Sequence, residues 1–331
     1  MEKYSERAIS LPLFWVENKN DQYMHNIFIA TSTFAVHSSE PVKILEGEGG
    51  NIMFNPLSKK LTSNELIKYA YSAMGIIGGT ELYTEDVFKQ LPELKVISRL
   101  GVGMDNIDLD VAKQKGIKVY KTQTTPAPAV AELVLGLMLD LARKISHQNN
   151  TLKSGIWQKQ MGNLLKGKTL GIIGLGVIGK TLVELVKGFN FNILAFDLYQ
   201  DEKFAKEHGV SYCNLDTLLS ESDIISIHLN LTDETNQLMN AAQISKMKPD
   251  SILINASRGE IIDEESLYIA LKEKRIMGAG LDVFNNEPYF GPLSKLDNVI
   301  LTPHIGSYAK ELRVQMEIEA VENLIRGLNE E

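Results

Sequence analysis

Several features are scarce in this 331-residue sequence, and each scarcity excludes a class of protein. Cys213 is the only cysteine, so neither an intrachain disulfide nor a cysteine metal cluster can form. The longest apolar run near the N-terminus, "LPLFWV", is too short for a signal peptide or a membrane span. The 34 lysines and arginines form no basic block and are outnumbered by 42 acidic residues, which argues against a nucleic-acid partner. We therefore expect a cytoplasmic protein that binds neither membranes nor nucleic acid.

What the sequence does contain is an alternation of apolar strands and helical segments over most of its length. Because strands that are apolar throughout and separated by helices are typical of covered parallel sheets, the pattern predicts an α/β fold. The length favours two domains, and with this alternation we expect each to be a doubly wound parallel sheet of the Rossmann or flavodoxin-like kind. The strand-like runs are 26–30, 74–79, 94–100, 117–120, 168–174, 192–197, 223–229, 251–257, 277–284 and 298–303.

Helix signals lie between these strands. Thr62 and Glu65 have capping-box spacing at the start of "TSNELIKYAY", and "DLDVAKQKG" ends on a glycine that stops a helix. Residues 127–148, which follow the break "TTPAP", are predicted to form one long helix with apolar residues on more than one face. A final helix is expected from Tyr308, with Ser307 as its cap.

A glycine-rich motif follows the strand at 168–174. "GIIGLGVIGK" places Gly174, Gly176 and Gly179 between a strand and a helix, in the G-x-G-x-x-G spacing that binds dinucleotides. The amides at such a helix N-terminus point at phosphates. The next strand ends at Asp197, where a carboxylate can accept ribose hydroxyls and repel a 2′-phosphate. The motif therefore predicts NAD as the cofactor, in preference to NADP.

This motif begins about halfway along the chain, which indicates a cofactor domain inserted after a first α/β domain; the domain boundaries rest on the break "TTPAP" and on the final helix from Tyr308. Residues 125–306 are predicted to form an NAD-binding Rossmann domain inserted into a substrate-binding (catalytic) domain of residues 26–124 and 307–331. Residues 1–25 are interpreted as an N-terminal extension. We expect the active site in the cleft between the two domains, near the carboxyl ends of the strands.

Three strand ends after the glycine motif carry polar residues that a buried strand end does not need. They are Arg258 in "NASRG", Glu287 in "VFNNEP" and His304 in "LTPHIG". Arginine can hold a carboxylate through two parallel hydrogen bonds, and histidine can exchange a proton with a hydroxyl as a hydride moves. A carboxylate on the far ring nitrogen would fix the tautomer. Singly, each could be a surface or capping residue; together they indicate oxidation of a 2-hydroxy acid.

The chain resembles the D-isomer-specific 2-hydroxyacid dehydrogenase family over residues 27–328, and within it the phosphoglycerate dehydrogenases. The matching motifs are "VISRLGVGMDNIDLDVA", "PAVAELVLGLML", "GIIGLGVIGK", "SIHLNLTDET", "LINASRGEIID", "AGLDVFNNEP" and "NVILTPHIGS". The resemblance implies that Arg258 binds the substrate carboxylate and 2-oxygen, that His304 is the acid/base, and that Glu287 is its partner. It also implies cofactor contacts from Val177, Ile178, Asp197, His228, Asn230, Thr232, Ala256, Asp282, His304, Gly306 and Ser307, with His228 near the adenosine half.

The resemblance also implies a substrate contact in the first domain. Arg99, in "SRLGVG", lies where phosphoglycerate dehydrogenases place a cation, and Gly101, Val102 and Gly103 would bring backbone amides to a carboxylate. The structural alternative is an arginine that ends a strand and pairs with Asp105. No spacing of the remaining histidines indicates a metal site, and nicotinamide chemistry needs none.

Other features depart from the phosphoglycerate dehydrogenases. Glu260 and Tyr308 stand where small residues are frequent, and the serine-binding regulatory domain of longer relatives is absent, so we expect no feedback by serine.

The predicted substrate is 3-phosphoglycerate or a similar acid; the alternative is a reductase of glyoxylate, hydroxypyruvate or another 2-oxo acid. An NADH-sensing protein like the transcriptional corepressors of this fold is the alternative from another class. The family implies a homodimer, with the helix at 127–148 as a candidate contact.

Overall fold

A computed structural model describes residues 25–330, and these form two compact units. Within the described residues, unit 1 comprises 25–125 and 309–330, and unit 2 comprises Pro126–Tyr308. Residues 1–24, nearly all of the expected N-terminal extension, lie outside the described residues.

The strands and helices alternate along both units. The strands are β1 Asn26–Ile29, β2 Asn51–Phe54, β3 Gly75–Gly78, β4 Val96–Arg99, β5 Lys118–Lys121, β6 Thr169–Ile173, β7 Asn192–Phe196, β8 Val210–Tyr212, β9 Ile224–Ile227, β10 Ile252–Asn255, β11 Gly278–Leu281 and β12 Val299–Leu301. The helices are α1 Glu40–Gly47, α2 Ser63–Ala70, α3 Glu85–Lys89, α4 Leu109–Gln114, α5 Ala127–Arg143, α6 Ile145–Lys153, α7 Val177–Leu185, α8 Glu202–His208, α9 Leu215–Glu221, α10 Ala241–Ile244, α11 Glu264–Lys272 and α12 Lys310–Asn329.

Unit 1 is built on a parallel sheet with the strand order β2-β1-β3-β4-β5. Its four predicted strands are confirmed, whereas β2 was not predicted because only Ile52 among its four residues is fully buried. Helix α12 returns to this sheet, and Ser98 of β4 donates a hydrogen bond to the Ala320 carbonyl (2.7 Å). The Thr62–Glu65 capping box at the start of α2 is confirmed as well.

Unit 2 is built on a seven-stranded parallel sheet with the order β12-β11-β10-β9-β6-β7-β8. The six predicted strands are present, and the three-residue edge strand β8, in which only Val210 is buried, was not predicted. Apolar clusters cover both faces of the sheet, with α5 and α7 on one and α9, α10 and α11 on the other. The predicted fold class of two parallel-sheet α/β domains is therefore confirmed.

Two helix predictions are wrong in detail. The helix predicted at 127–148 breaks at Lys144, which adopts a left-handed conformation (φ 54°, ψ 42°) between α5 and α6. The break is stabilised by Asp140, whose carboxylate accepts hydrogen bonds from the amide (2.7 Å) and hydroxyl of Ser146 in the first turn of α6.

The start of the last helix is the second difference. Helix α12 begins at Lys310 with Ala309 at the cap position and no side-chain cap, so Ser307 does not cap it. Ser307 lies instead within a turn that is closed by a hydrogen bond from the Tyr308 amide to the Ile305 carbonyl (2.8 Å). Among the described residues, no helix combines the length and apolar character that crossing a membrane requires.

Candidate active site

The three polar strand ends of unit 2 follow strands that are neighbours in the sheet. Arg258 follows β10, Glu287 follows β11 and His304 follows β12. Because these strands are parallel, the segments that carry the three residues leave the same edge of the sheet side by side. The glycine loop after β6, Asp197 after β7 and His228 after β9 leave that edge too.

His304 and Glu287 are in direct contact. Nδ1 of His304 lies 3.1 Å from Oε1 and 3.0 Å from Oε2 of Glu287. The imidazole is 37% exposed and the carboxylate 20%. Since the carboxylate occupies Nδ1, the tautomer with hydrogen on Nδ1 leaves Nε2 for another partner, and no described residue of the chain hydrogen-bonds Nε2.

Asp282 holds the backbone around His304. Its buried carboxylate accepts hydrogen bonds from the Thr302 hydroxyl (2.6 Å) and from the amides of Ile305 and Gly306 (2.8 Å each). The Asp282 carbonyl accepts a bond from the His304 amide (2.9 Å), and His304 itself has a positive φ of 54°. Burial raises the pKa of Asp282, against the opposing effect of these hydrogen bonds. A positive φ is unfavourable for histidine, so the backbone at His304 is strained. The hydrogen bonds to the Asp282 carboxylate hold the loop in this conformation.

The turn that carries Arg258 is held by a buried asparagine. Asn255, the last residue of β10, accepts hydrogen bonds from the amide (3.0 Å) and hydroxyl (2.7 Å) of Ser257 and donates to the Arg258 carbonyl (2.8 Å). The next position, 259, must be a glycine, because a Cβ there would lie 2.1 Å from the Phe284 carbonyl carbon. Arg258 is half-buried, and its Nη1 donates to the Ser257 carbonyl (2.8 Å).

Each of the three glycine positions in the motif between β6 and α7 favours glycine for a different reason. Gly174 has a φ of 95°, and a Cβ there would lie 2.6 Å from the His228 carbonyl oxygen. A Cβ at Gly179 would lie 2.5 Å from the Gly174 carbonyl oxygen, so this glycine lets helix and loop pack closely. Gly176, at the cap of α7, faces open space, which leaves the helix N-terminus accessible to a phosphate.

Asp197 is fixed by the same loop. Its Oδ2 accepts a hydrogen bond from the Leu175 amide (2.7 Å) and its Oδ1 from the Tyr199 amide (2.9 Å). The side chains of Leu198 and Tyr199 beside it are more than four-fifths exposed, as is suitable for covering a nucleobase. An open glycine-capped helix with a fixed carboxylate at the next strand end fits the pyrophosphate and ribose of a dinucleotide.

His228 lies immediately behind the glycine loop. Its Nε2 is 2.9 Å from the Ser226 hydroxyl, and burial lowers its pKa to about 4. It is therefore neutral at pH 7, and its backbone supports Gly174. Asn230 and Thr232, which follow it, are exposed, and Thr232 hydrogen-bonds with Thr235.

The remaining residues with an implied cofactor contact lie at the same edge. Val177 and Ile178 form the first turn of α7, Ala256 follows β10, and Gly306 and Ser307 follow His304. Val177 is exposed, whereas Gly306 is buried. Their roles stay predictions.

The predicted substrate contacts in unit 1 follow β4. Arg99 is only 9% exposed; its Nη1 donates to the Leu100 carbonyl (2.7 Å), folding the side chain over Gly101. Gly101 has a φ of 138°, and its amide donates to the Thr122 hydroxyl (3.1 Å). Val102 is exposed and Gly103 half-buried.

Unit 2 thus has the features of an NAD-binding dehydrogenase domain, and comparison with known proteins identifies its family. The model of the D-isomer specific 2-hydroxyacid dehydrogenase NAD binding domain matches residues 135–306. A hydroxypyruvate reductase of Thermotoga maritima is 39% identical over 89% of this chain and 98% of the relative. The chain belongs to the D-isomer specific 2-hydroxyacid dehydrogenase family, as its motifs predicted, and its cofactor is NAD.

Other relatives carry different names. A D-3-phosphoglycerate dehydrogenase of Methanocaldococcus jannaschii is 40% identical over 87% of this chain, which spans only 56% of that protein. The solved apo-structure of D-lactate dehydrogenase from Escherichia coli superimposes with a TM-score of 0.80 at 31% identity, covering 92% of this chain and 96% of the other. The family is therefore shared by enzymes that are named for different 2-hydroxy or 2-oxo acids.

Proposed function

We propose that the chain interconverts a small D-2-hydroxy acid and its 2-oxo acid, with His304 as the acid/base. The observation that carries this proposal is the contact between Nδ1 of His304 and the Glu287 carboxylate. In the direction of reduction, Nε2 of His304 gives a proton to the C2 oxygen and later regains one from water. Glu287 stabilises the protonated ring before the transfer and fixes its orientation throughout.

Arg258 holds the substrate carboxylate in this proposal. Its planar guanidinium offers parallel donors to two carboxylate oxygens, and the Asn255 turn fixes the backbone beneath it. Arg258 and His304 follow strands on either side of β11, and in this proposal an acid bound by the arginine would present C2 to the histidine.

When bound, NAD would accept a hydride from C2 of the hydroxy acid, and NADH would donate one to C2 of the oxo acid. The open cap of α7 at Gly176 would bind the pyrophosphate, and Asp197 the adenosine ribose hydroxyls. The Asp197 carboxylate also disfavours the 2′-phosphate of NADP, so this chain should work with NAD. Asp282 would hold the His304 loop in place while the cofactor is bound.

The experiment that tests this function is a screen of 2-oxo acids for oxidation of NADH, read as absorbance at the nicotinamide band. Glyoxylate, hydroxypyruvate and 3-phosphohydroxypyruvate cover the two substrate groups that the sequence leaves open. Turnover of at least one of them is expected. Tight binding of NADH without turnover of any acid would contradict the proposal and favour a cofactor-sensing protein.

We propose also that two copies associate through unit 2. Helix α5 packs within the core of its own unit, but α6 and the segment after it expose large apolar side chains. Trp157 is 81% and Met161 90% exposed, with Ile145, Leu152, Ile156 and Leu164 exposed nearby along the chain. Large apolar side chains exposed together in this way often mark an interface between protein copies. Sedimentation velocity should give a dimer for the wild type, and Trp157→Glu should shift it toward monomer.

A further inference from the structure

The segment after β11 leads to Glu287, and it has few backbone anchors. Residues 283–286 make no backbone–backbone hydrogen bond in the part of the chain that the structure describes. Two of their amides donate to carboxylates instead. The Phe284 amide donates to Oε1 of Glu287 itself (3.3 Å). The Asn285 amide donates to Oε1 of Glu264 (2.7 Å), which is the shorter of the two bonds and the one that comes from another element of unit 2.

Glu264 stands at a fixed point from which it reaches this amide. It is the first residue of α11, and the side chain of Asp263 caps that helix by accepting hydrogen bonds from the amides of Glu265 (3.2 Å) and Ser266 (3.4 Å). The Ser266 hydroxyl also donates to Asp263 (2.6 Å). Because the cap fixes the first turn of α11, it fixes the backbone of Glu264 as well. The Glu264 carboxylate thus links the start of α11 to the segment after β11.

The peptide that Glu264 holds also packs against the turn that carries Arg258. A Cβ built on Gly259 would lie 2.1 Å from the Phe284 carbonyl carbon and 2.5 Å from the Asn285 nitrogen. The peptide between Phe284 and Asn285 therefore contacts the backbone of Gly259 and donates its N–H to Glu264. A displacement of this one peptide would disturb both the segment after β11 and the turn after β10.

The surroundings of Glu264 are unfavourable for a charge. Burial raises its pKa, the hydrogen bond from the Asn285 amide opposes this rise, and the neighbouring Glu260 charge adds to it. Burial also raises the pKa of Tyr289, and the Glu264 charge adds to that rise. Among the described residues, the Asn285 amide is the only hydrogen-bond donor to the Glu264 carboxylate. A surface position would hold an acid at less cost, so the contact with Asn285 is what this placement provides.

We propose that Glu264 is a positioning residue that keeps Glu287 beside Nδ1 of His304. It does so by holding the Asn285 amide, two residues before Glu287. This inference rests on the proposed function, in which His304 transfers the proton. Asp282 holds the loop of His304, and Glu264 holds the segment of its partner. Glu264 touches neither substrate nor cofactor in this proposal, so it affects the rate only through Glu287.

Glu264→Ala removes the acceptor of the Asn285 amide. The kcat for the 2-oxo acid that the wild type reduces best should fall about tenfold, since a small misplacement of a catalytic group costs a rate of this order. KM for the acid and the Kd for NADH should stay within about threefold of the wild type, because the change acts on the proton transfer.

Two further variants separate the hydrogen bond from other effects of the substitution. Glu264→Gln keeps an oxygen that accepts the same hydrogen bond, so its kcat should stay within about threefold of the wild type. Glu265→Ala is the matched control, because Glu265 is the next acid of α11 and is exposed. It should leave kcat within about twofold of the wild type.

The sharpest comparison repeats Glu264→Ala in the Glu287→Gln background. If Glu264 acts through Glu287, the further loss of kcat there should be less than about threefold, because changes that act through one shared group are not additive. Glu264→Asp keeps the charge but shortens the side chain by one methylene. It should lower kcat by about threefold or more and replaces the alanine variant in both backgrounds if that variant melts below the assay temperature.

Equal losses of kcat in the two backgrounds would overturn the proposal, because Glu264 would then act independently of Glu287. A Glu264→Gln enzyme as slow as Glu264→Ala would overturn it too, since the hydrogen bond would not be the cause. If Glu264→Ala keeps the wild-type kcat while Glu287→Gln is slow, this inference alone fails. If Glu287→Gln itself keeps the wild-type kcat, the proposed role of Glu287 fails and that of Glu264 with it.

Discussion

The Glu287 carboxylate straddles Nδ1 of His304, with its two oxygens at 3.1 and 3.0 Å from that nitrogen. The near-equal distances orient the ring so that Nε2 points away from the carboxylate. Glu287 also accepts the Phe284 amide (3.3 Å), which ties it to the segment after β11. The pair therefore links two neighbouring strand ends, as the proposed proton transfer by His304 requires.

Glu287→Gln should lower kcat while changing the affinity for NADH little. Glutamine can still accept a hydrogen bond from Nδ1, but it lacks the charge that stabilises the imidazolium. We expect kcat to fall between about tenfold and about a hundredfold. Stopped-flow or steady-state rates with saturating NADH measure this. Glu273→Gln, at an exposed acid of the same unit, is the control, and equal rates for both variants would show that the Glu287 charge plays no part.

Arg258→Lys should weaken the hold on the substrate carboxylate. Lysine keeps the charge but cannot form two parallel hydrogen bonds, so kcat/KM should fall by about a hundredfold, with most of the change in KM. Arg275→Lys provides the control, because Arg275 is an exposed arginine paired with Glu273. If Arg258→Lys and Arg275→Lys have the same KM, Arg258 does not bind the carboxylate.

Asp282→Asn should disturb the His304 loop. The carboxylate accepts three hydrogen bonds, and an amide nitrogen in place of Oδ2 would face the Gly306 amide donor-to-donor. The lost bonds and the buried mismatch should cost about 2–4 kcal/mol of unfolding free energy. A lower melting temperature and a reduced kcat are expected together. A variant with the wild-type melting temperature and kcat would show that the loop does not depend on this carboxylate.

The pH dependence of stability should contain a contribution from His228. Burial lowers its pKa from 6.5 to about 4, so the folded chain leaves it neutral where the unfolded chain takes up a proton. The contribution is complete above pH 6.5 and is lost as the pH falls toward 4, by at most about 3 kcal/mol. Denaturant unfolding at pH 7 and pH 5 measures it. His228→Gln should unfold with a smaller difference between the two pH values, and an unchanged difference would refute the assignment.

Sequence patterns predicted those elements whose causes are local or strongly periodic. The Thr62–Glu65 cap depends on four consecutive residues, and the central strands are apolar throughout, so both were predictable. The edge strands β2 and β8 bury too little to show a pattern. The break at Lys144 depends on the Asp140 carboxylate reaching Ser146, and the start of α12 on a turn after His304.

The candidate site, too, could be predicted only where its causes are local in the sequence. The residue types at three strand ends and the glycine spacing could be recognised in the sequence. The residues that hold these side chains in place could not. Asn255 under Arg258, and the loop-holding role of Asp282, depend on hydrogen bonds across neighbouring segments. Asparagine at the end of a buried strand was the one available indication, since that residue often hydrogen-bonds the turn after it.

The central claim is that His304 transfers the proton, and His304→Ala tests it most directly. The measurement is kcat for NADH-dependent reduction of whichever 2-oxo acid the wild type reduces best, together with the Kd for NADH from fluorescence titration. We predict a loss of kcat of about a hundredfold or more, the usual contribution of general acid–base catalysis, with the NADH Kd within about threefold of the wild type. An unchanged kcat in a folded variant that binds NADH normally would contradict the account.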